Sequence, residues 1–363
     1  MQLAIIGSPK SGKTTIFNAL TKGKAEVGTY ALSLAPNIGV AKAPDSRLSM
    51  LERIFHPKRI VPAEVNYVDI AGSPKTFGSQ EGIGGKYLNY LTTADALLQV
   101  ARVFEDENIP HPEGNINPKR DIANLDLELA FSDLTIIERR LSRLEMALKG
   151  AKAPDRELYV KEQLLLQKIK VNLEKDMPIR QQDLVADEAK MLSNYQFLTA
   201  KPMLVVLNIG EEQIPQSLQL ENEVRAVYPH FAVVALCGKL EGELAQLSDA
   251  EAEEFRKEMG LSAPALDQVI NLSFQHLGLI SFFTTVSAEL KAWTIPSGTI
   301  ASKAAGKVHS DMERGFIRAE VLSYQDLNSY NNPAEARKKG LLKMEGKNYV
   351  VQDGDVITFL FNV

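Results

Sequence analysis

The chain has 363 residues, 45% of them hydrophobic and 24% charged, and a net charge of −5 at pH 7. This is the composition of ordinary globular domains, long enough for two or three cores, and its acidic balance argues against a general nucleic-acid coat. A single cysteine, Cys237, and five histidines without paired spacing exclude a disulfide framework and speak against a structural zinc. No apolar run approaches the length of a membrane span, and the chain starts on a strand instead of a basic-then-apolar leader, so a cytoplasmic protein with no membrane partner is expected.

The first element is the apolar strand Leu3 to Ile6, followed by Gly7-Ser8-Pro9-Lys10-Ser11-Gly12-Lys13-Thr14-Thr15 and a helix carrying Ile16, Phe17, Ala19 and Leu20. The loop fits G-x-x-x-x-G-K-[ST]. In that pattern backbone N–H groups curl around phosphate oxygens, the lysine reaches the terminal phosphates and the hydroxyl binds Mg²⁺. Residues 28–43 read as a loop-rich passage where a γ-phosphate sensor would lie. Glu64 to Ile70 reads as a strand ending in Asp69, and Asp69-Ile70-Ala71-Gly72 supplies a D-x-x-G in the right place for an Mg²⁺-side carboxylate and a γ-phosphate N–H.

Residues 73–85 read as a mobile loop, 86–91 as helix and 95–100 as strand. Residues 106–118, with Pro110-His111-Pro112, cannot be regular structure. From Asp121 the apolar spacing alternates between three and four: Leu127, Ala130, Leu134, Ile137, Leu141, Leu144 and Leu148 predict a coiled-coil helix. A second helix is expected over 156–175 and a third over 182–198. Strands return at Met203 to Asn208 and Ala232 to Leu236, so the helical segment interrupts one α/β domain with a mostly parallel sheet. Asn208-Ile209-Gly210-Glu211 follows its strand in the slot of a base-reading N-K-x-D. Beyond Gly278, strands over 279–285, 290–295, 316–321, 348–351 and 356–361 with a helix near 302–309 predict a small α+β domain, a binding module in character.

These residues carry a resemblance. The chain resembles the YchF-type Obg-like ATPases, P-loop proteins of the translation-factor class, along essentially its whole length. The carriers are Asp69-Ile70-Ala71-Gly72, Glu81 to Leu88, Ile109 to Gly114 with Pro118 to Ile122, Asn208 to Glu211, and three C-terminal stretches, Leu277 to Thr284, Ala304 to Asp311 and Tyr349 to Asp355, which look like that family's ubiquitin-like TGS domain. The resemblance implies a P-loop domain over 1–120 and 199–277, a helical coiled-coil insertion over 121–198 and a TGS domain over 278–363. It also implies slow hydrolysis, ATP preferred over GTP, and association with a ribosomal subunit and its rRNA. By position, Gly7 to Thr15, Gly72, Asn208 and Glu211 would hold the nucleotide, Thr14, Ser33 and Asp69 the Mg²⁺, and His111 becomes a catalytic candidate.

The chain departs from the family pattern at Lys10, where asparagine is usual, at Ser33, where threonine is usual, and at Ser73, where leucine is usual. In some related P-loop GTPases that asparagine helps hold a potassium ion against the phosphates. A lysine has donors and no acceptor, so Lys10 is read as a candidate catalytic cation supplied in cis. Guanine reading needs an aspartate that accepts from two N–H donors. Glu211 is one methylene longer and Ile209 fills the lysine slot, which favours ATP. The leading function is an Mg²⁺-dependent NTPase switch. The alternative is a hydrolysis-deficient, nucleotide-gated ribosome-binding module, since Ser73 is too short to orient a water. A small-molecule kinase is disfavoured because nothing offers a pocket for an acceptor. Lys303, Lys307, Arg314 and Arg318 are candidate cations for RNA phosphates.

Overall fold

The computed structural model describes residues 2–23, 25, 36–70, 85–261, 264–286, 288–330 and 332–362. In chain order, β1 (Gln2–Ile6), α1 (Lys13–Thr21), β2 (Asn37–Lys42), α2 (Arg47–Phe55), β3 (Arg59–Val61), β4 (Glu64–Asp69), α3 (Gly85–Thr93) and β5 (Ala96–Arg102) lead into the long helices α4 (Pro118–Leu148) and α5 (Ala153–Leu173). Then come α6 (Ala186–Leu192), β6 (Met203–Asn208), α7 (Ser217–Val227), β7 (Ala232–Leu236), α8 (Gly238–Leu244), α9 (Asp249–Glu258) and α10 (Ala265–His276). The rest is β8 (Leu279–Val286), β9 (Glu289–Pro296), α11 (Ala301–Val308), α12 (Ser310–Arg314), β10 (Phe316–Ser323), α13 (Tyr324–Tyr330), α14 (Pro333–Lys338), β11 (Lys343–Glu345) and β12 (Asp355–Phe361). The chain forms two compact units, 1–39 with 66–266 and 40–65 with 267–363.

The first unit is built on a sheet of order β2-β4-β1-β5-β6-β7, in which β4, β1, β5, β6 and β7 pair in parallel. β5 and β6 are buried at every position, as strands covered on both faces must be, which explains their near-continuous apolar character. The order turns at β1: β4 lies on one side and β5 on the other, so the crevice at the C-terminal end of β1 is the topological switch point where α/β sheets bind ligands.

The helical hairpin divides its apolar residues between two partners. α4 is 31 residues long, about 46 Å at 1.5 Å per residue. Its base presents Ile122, Leu125 and Leu129 to the sheet core, whereas Ala130, Ile137 and Leu144 meet Leu165, Leu166, Ile169 and Leu173 of α5. The expected seam therefore begins at Ala130, and Leu127 is 43% exposed because the base of the helix rolls its other face onto the sheet. The expected third helix is broken instead. Short 3₁₀ turns flank α6, and Gln196 adopts φ 52°. Buried Asp133 of α4 accepts hydrogen bonds from the Leu198 and Thr199 N–H groups and the Thr199 hydroxyl, fixing the return to β6.

The second unit has a mixed sheet of order β11-β10-β12-β8-β9-β3. α11 covers it through Ala301, Ala304 and Ala305 against Phe282, Ile357 and Phe359. The strand expected over 348–351 is only an isolated bridge, Ile300 to Val350. β3 was not foreseen: from far earlier in the chain it pairs in parallel with β9 at the sheet edge. Arg47 secures the same segment, donating to both oxygens of Asp45 and to Asp353 at 2.8 Å each and lying 5.1 Å from the Phe283 ring centroid. Residues 37–42, expected in a loop-rich passage, form β2.

Candidate nucleotide site

The chain leaves β1 through Gly7 at φ 147° and enters α1 through Gly12 at φ 91°. A side chain at Gly7 would collide with the Val100 carbonyl oxygen, and one at Gly12 with the Asn208 amide, so both positions need glycine for conformation and for space. Exposed Lys10 also holds positive φ, 64°, which costs a non-glycine residue on the order of 1 kcal/mol. No side chain caps the N-terminus of α1, so its first-turn N–H groups point toward the loop as an anion site.

Lys13 is buried, and its ammonium donates to the carbonyl oxygens of Gly7 at 2.8 Å and Ser8 at 2.9 Å. An ammonium has three donors, so one remains to reach an anion cradled by the loop. Burial pulls this lysine down to about 8, with the charge of Asp69 opposing the shift. The Thr14 hydroxyl donates to Asp69 Oδ2 at 2.8 Å, and the Asn37 amide approaches the same oxygen at 3.4 Å. The other Asp69 oxygen, Oδ1, is buried without a hydrogen-bond partner among the described residues. An unsatisfied carboxylate oxygen beside a hydroxyl is a hard-oxygen donor set of the kind that suits Mg²⁺, which takes one or two protein oxygens and completes its shell with phosphate and water.

Asn208, 4% exposed, ties the loops together. Its amide nitrogen donates to Ser11 O at 2.9 Å, and its amide oxygen accepts from the Gly238 N–H at 3.0 Å. It thus holds the phosphate loop against the β7–α8 turn, and one amide N–H is left over for a base. Ile209 is buried in the sheet core. Glu211 is half exposed and accepts from Lys239 at 3.0 Å. The sequence reading missed Gly238, where a side chain would press on Asn208 and Ile16, and Asn37. It also missed Arg102, which is 2% exposed, donates to Phe104 O and lies 4.3 Å from the Phe104 ring centroid. A glycine directly after a buried strand, and a charge ending one, were the available signals.

His111 occupies a different setting. Its Nδ1 accepts from the Glu113 N–H at 3.1 Å, so Nε2 carries the proton and donates to Asp121 Oδ2 at 2.9 Å. Arg120 fills the other Asp121 oxygen. Nε2 thus pins the 106–117 loop to the first turn of α4 while Nδ1 braces the loop's own backbone, and no hydrogen bond joins His111 to the phosphate loop among the described residues. Ser33, Gly72 and Ser73 lie outside the described residues. Among described residues no helix is long and apolar enough to cross a membrane.

Two family models match the chain: the 50S ribosome-binding GTPase model over residues 2–133 and the YchF GTPase C-terminal model, described as a protein of unknown function, over residues 279–362. The Bacillus subtilis protein named ribosome-binding ATPase YchF is 39% identical over 99% of this chain and 98% of its own length. Its namesake from Escherichia coli O157:H7 is 40% identical at the same coverage. The solved structure of the Schizosaccharomyces pombe YchF GTPase superposes with a TM-score of 0.87 at 30% identity, covering 99% of this chain and 97% of that one. Full-length similarity of this degree, on a phosphate loop whose lysine, hydroxyl and carboxylate are already assembled, places the chain in the YchF family.

Proposed function

We propose that this protein is an Mg²⁺-dependent nucleotide switch of the cytoplasm that binds ATP in preference to GTP, hydrolyses it slowly and associates with the ribosome. The observation that carries the reading is the Lys13, Thr14 and Asp69 constellation around the loop. Mg²⁺ bound with the nucleotide would neutralise charge on the β- and γ-phosphates. The backbone N–H groups of residues 7–15 other than Pro9 would bind phosphate oxygens, the free Lys13 donor would reach the terminal phosphates, and Thr14 with Asp69 would hold the metal, with Ser33 and Gly72 as further candidates. The ribosome enters from the relatives' names, and residues 278–363 as a TGS-type domain with 121–198 as a coiled-coil arm are the natural docking parts.

ATP preference rests on the base-reading slot. A guanine reader needs a carboxylate free to accept two N–H donors, and Glu211 is longer than aspartate and occupied by Lys239. Ile209 is committed to the core. Calorimetric titration with MgATP and MgGTP tests this, and tighter GTP binding refutes it. The setting of His111 favours a second reading, a nucleotide-gated ribosome-binding module without useful hydrolysis, since neither ring nitrogen is free to orient a water. Single-turnover ATP hydrolysis with and without ribosomes separates the two readings.

A further inference from the structure

Charge is unevenly placed along the chain. Residues 139–156 hold six Lys and Arg against two acidic residues, in a protein of net charge −5. This stretch is the tip of the α4–α5 hairpin. Within it Arg140 is paired with Glu162, and farther along the hairpin Lys161 is paired with Glu157, Lys168 with Glu188 and Lys170 with Glu138. Arg139, Arg143, Lys149, Lys152 and Arg156 are exposed and have no ion pair among the described residues. The C-terminal candidates contrast with them, because Lys303 is paired with Glu313 and Arg314 with Asp311.

Arg139, Arg143 and Met146 recur at i, i+4 and i+7 and therefore share one face of α4. Met146 is 63% exposed. Lys149 and Lys152 continue the stripe over the turn and Arg156 lies in the first turn of α5. From Arg139 to Lys149 the rise is about 15 Å, a span over which duplex nucleic acid presents several phosphates. Unpaired arginines suit phosphate in particular, because the planar guanidinium takes two oxygens at once. Leaving five cations together also costs mutual repulsion, which a polyanion would relieve.

We propose that the tip of the hairpin is an RNA-docking surface, on which Arg139, Arg143, Lys149, Lys152 and Arg156 take backbone phosphates of ribosomal RNA without reading its sequence. The proposal deepens the ribosome association proposed above and rests on it. The test compares the full-length parent with a variant carrying Arg139→Gln, Arg143→Gln, Lys149→Gln, Lys152→Gln and Arg156→Gln, in sedimentation with ribosomes across a KCl series. A control variant neutralises five paired lysines, Lys161, Lys168, Lys170, Lys257 and Lys303. The tip variant should keep its melting temperature and ATP affinity and lose tenfold or more in ribosome affinity. Its slope of log affinity against log salt should flatten by about 0.7 to 0.9 for each phosphate contact removed. Extracted ribosomal RNA should compete with the parent. An unchanged tip variant, an equal loss in the control, or binding that extracted RNA does not compete, as for docking on an acidic ribosomal protein, overturns the proposal. A parent that does not sediment with ribosomes overturns the association itself, a separate result.

Discussion

Replacing Lys13 by methionine should abolish nucleotide binding without destabilising the nucleotide-free protein. The side chain is buried, and its pKa falls from 10.5 to about 8, so the folded protein holds the charged form at a cost of about 3 kcal/mol at neutral pH, from about 1.4 kcal/mol per unit. Methionine fills similar volume without that cost, and the relief offsets the about 1 to 3 kcal/mol lost with the hydrogen bonds to Gly7 O and Ser8 O. The sign of the pH dependence follows. Below pH 8 folded and unfolded chains both keep the proton and the penalty is fully present. Between pH 8 and 10.5 the folded chain releases it while the unfolded chain retains it, so this group makes stability rise with pH. Lys13→Met should lack that rise. Nucleotide at about 100 times its Kd adds roughly 2.7 kcal/mol, a shift of about 5 to 10 °C for a domain of this size. Thermal melting with and without MgATP reads both effects. A variant that still gains this shift, or one that melts several degrees below the parent without nucleotide, refutes the assignment.

Asp69→Asn keeps an acceptor but removes the charge beside Thr14, so affinity for MgATP should fall at least about tenfold, on the order of 1.4 kcal/mol, while metal-free ATP binding in EDTA changes little; calorimetry under both conditions decides. His111→Ala should cost about 1 to 3 kcal/mol of stability through two lost hydrogen bonds and leave ATP turnover within about tenfold, whereas a much larger loss of turnover at unchanged melting temperature would make the histidine catalytic. If Lys10 supplies the cation in cis, hydrolysis should run equally in Na⁺ and K⁺ and fall in Lys10→Ala at nearly constant ATP affinity; strong activation of the parent by K⁺ argues the other way.

The local parts of the candidate site were legible because phosphate binding needs backbone shape. Gly7, Gly12, Lys13 and Thr14 are adjacent in sequence, and Asp69 ends a strand whose apolar pattern is unmistakable. The sheet's near-continuous apolar runs and the hairpin's spacing were equally readable. What escaped were contacts that depend on distant partners. Gly238 matters only because Asn208 reaches it across 30 positions. His111 was a catalytic candidate by resemblance alone, and its bonds to Asp121 and the Glu113 N–H could not be read from the sequence. Leu127 fitted a heptad that the base of α4 abandons for the sheet.

The pairing of β3 with β9 bears on how this protein can be dissected. Cutting at the apparent boundary near residue 278 would strip residues 40–65 of the strand, the guanidinium clamp and the Phe283 ring on which they rest. The complementary fragment would begin with β8 and leave β9 as a bare sheet edge, its unpaired N–H and C=O groups offered to any other chain. Loss of function on truncation would therefore report this broken pairing before it reported a missing docking surface. Substitution of single side chains in the intact chain is the informative genetics here, and a circular permutant that keeps β3 beside β9 is the one form in which the C-terminal sheet would survive alone.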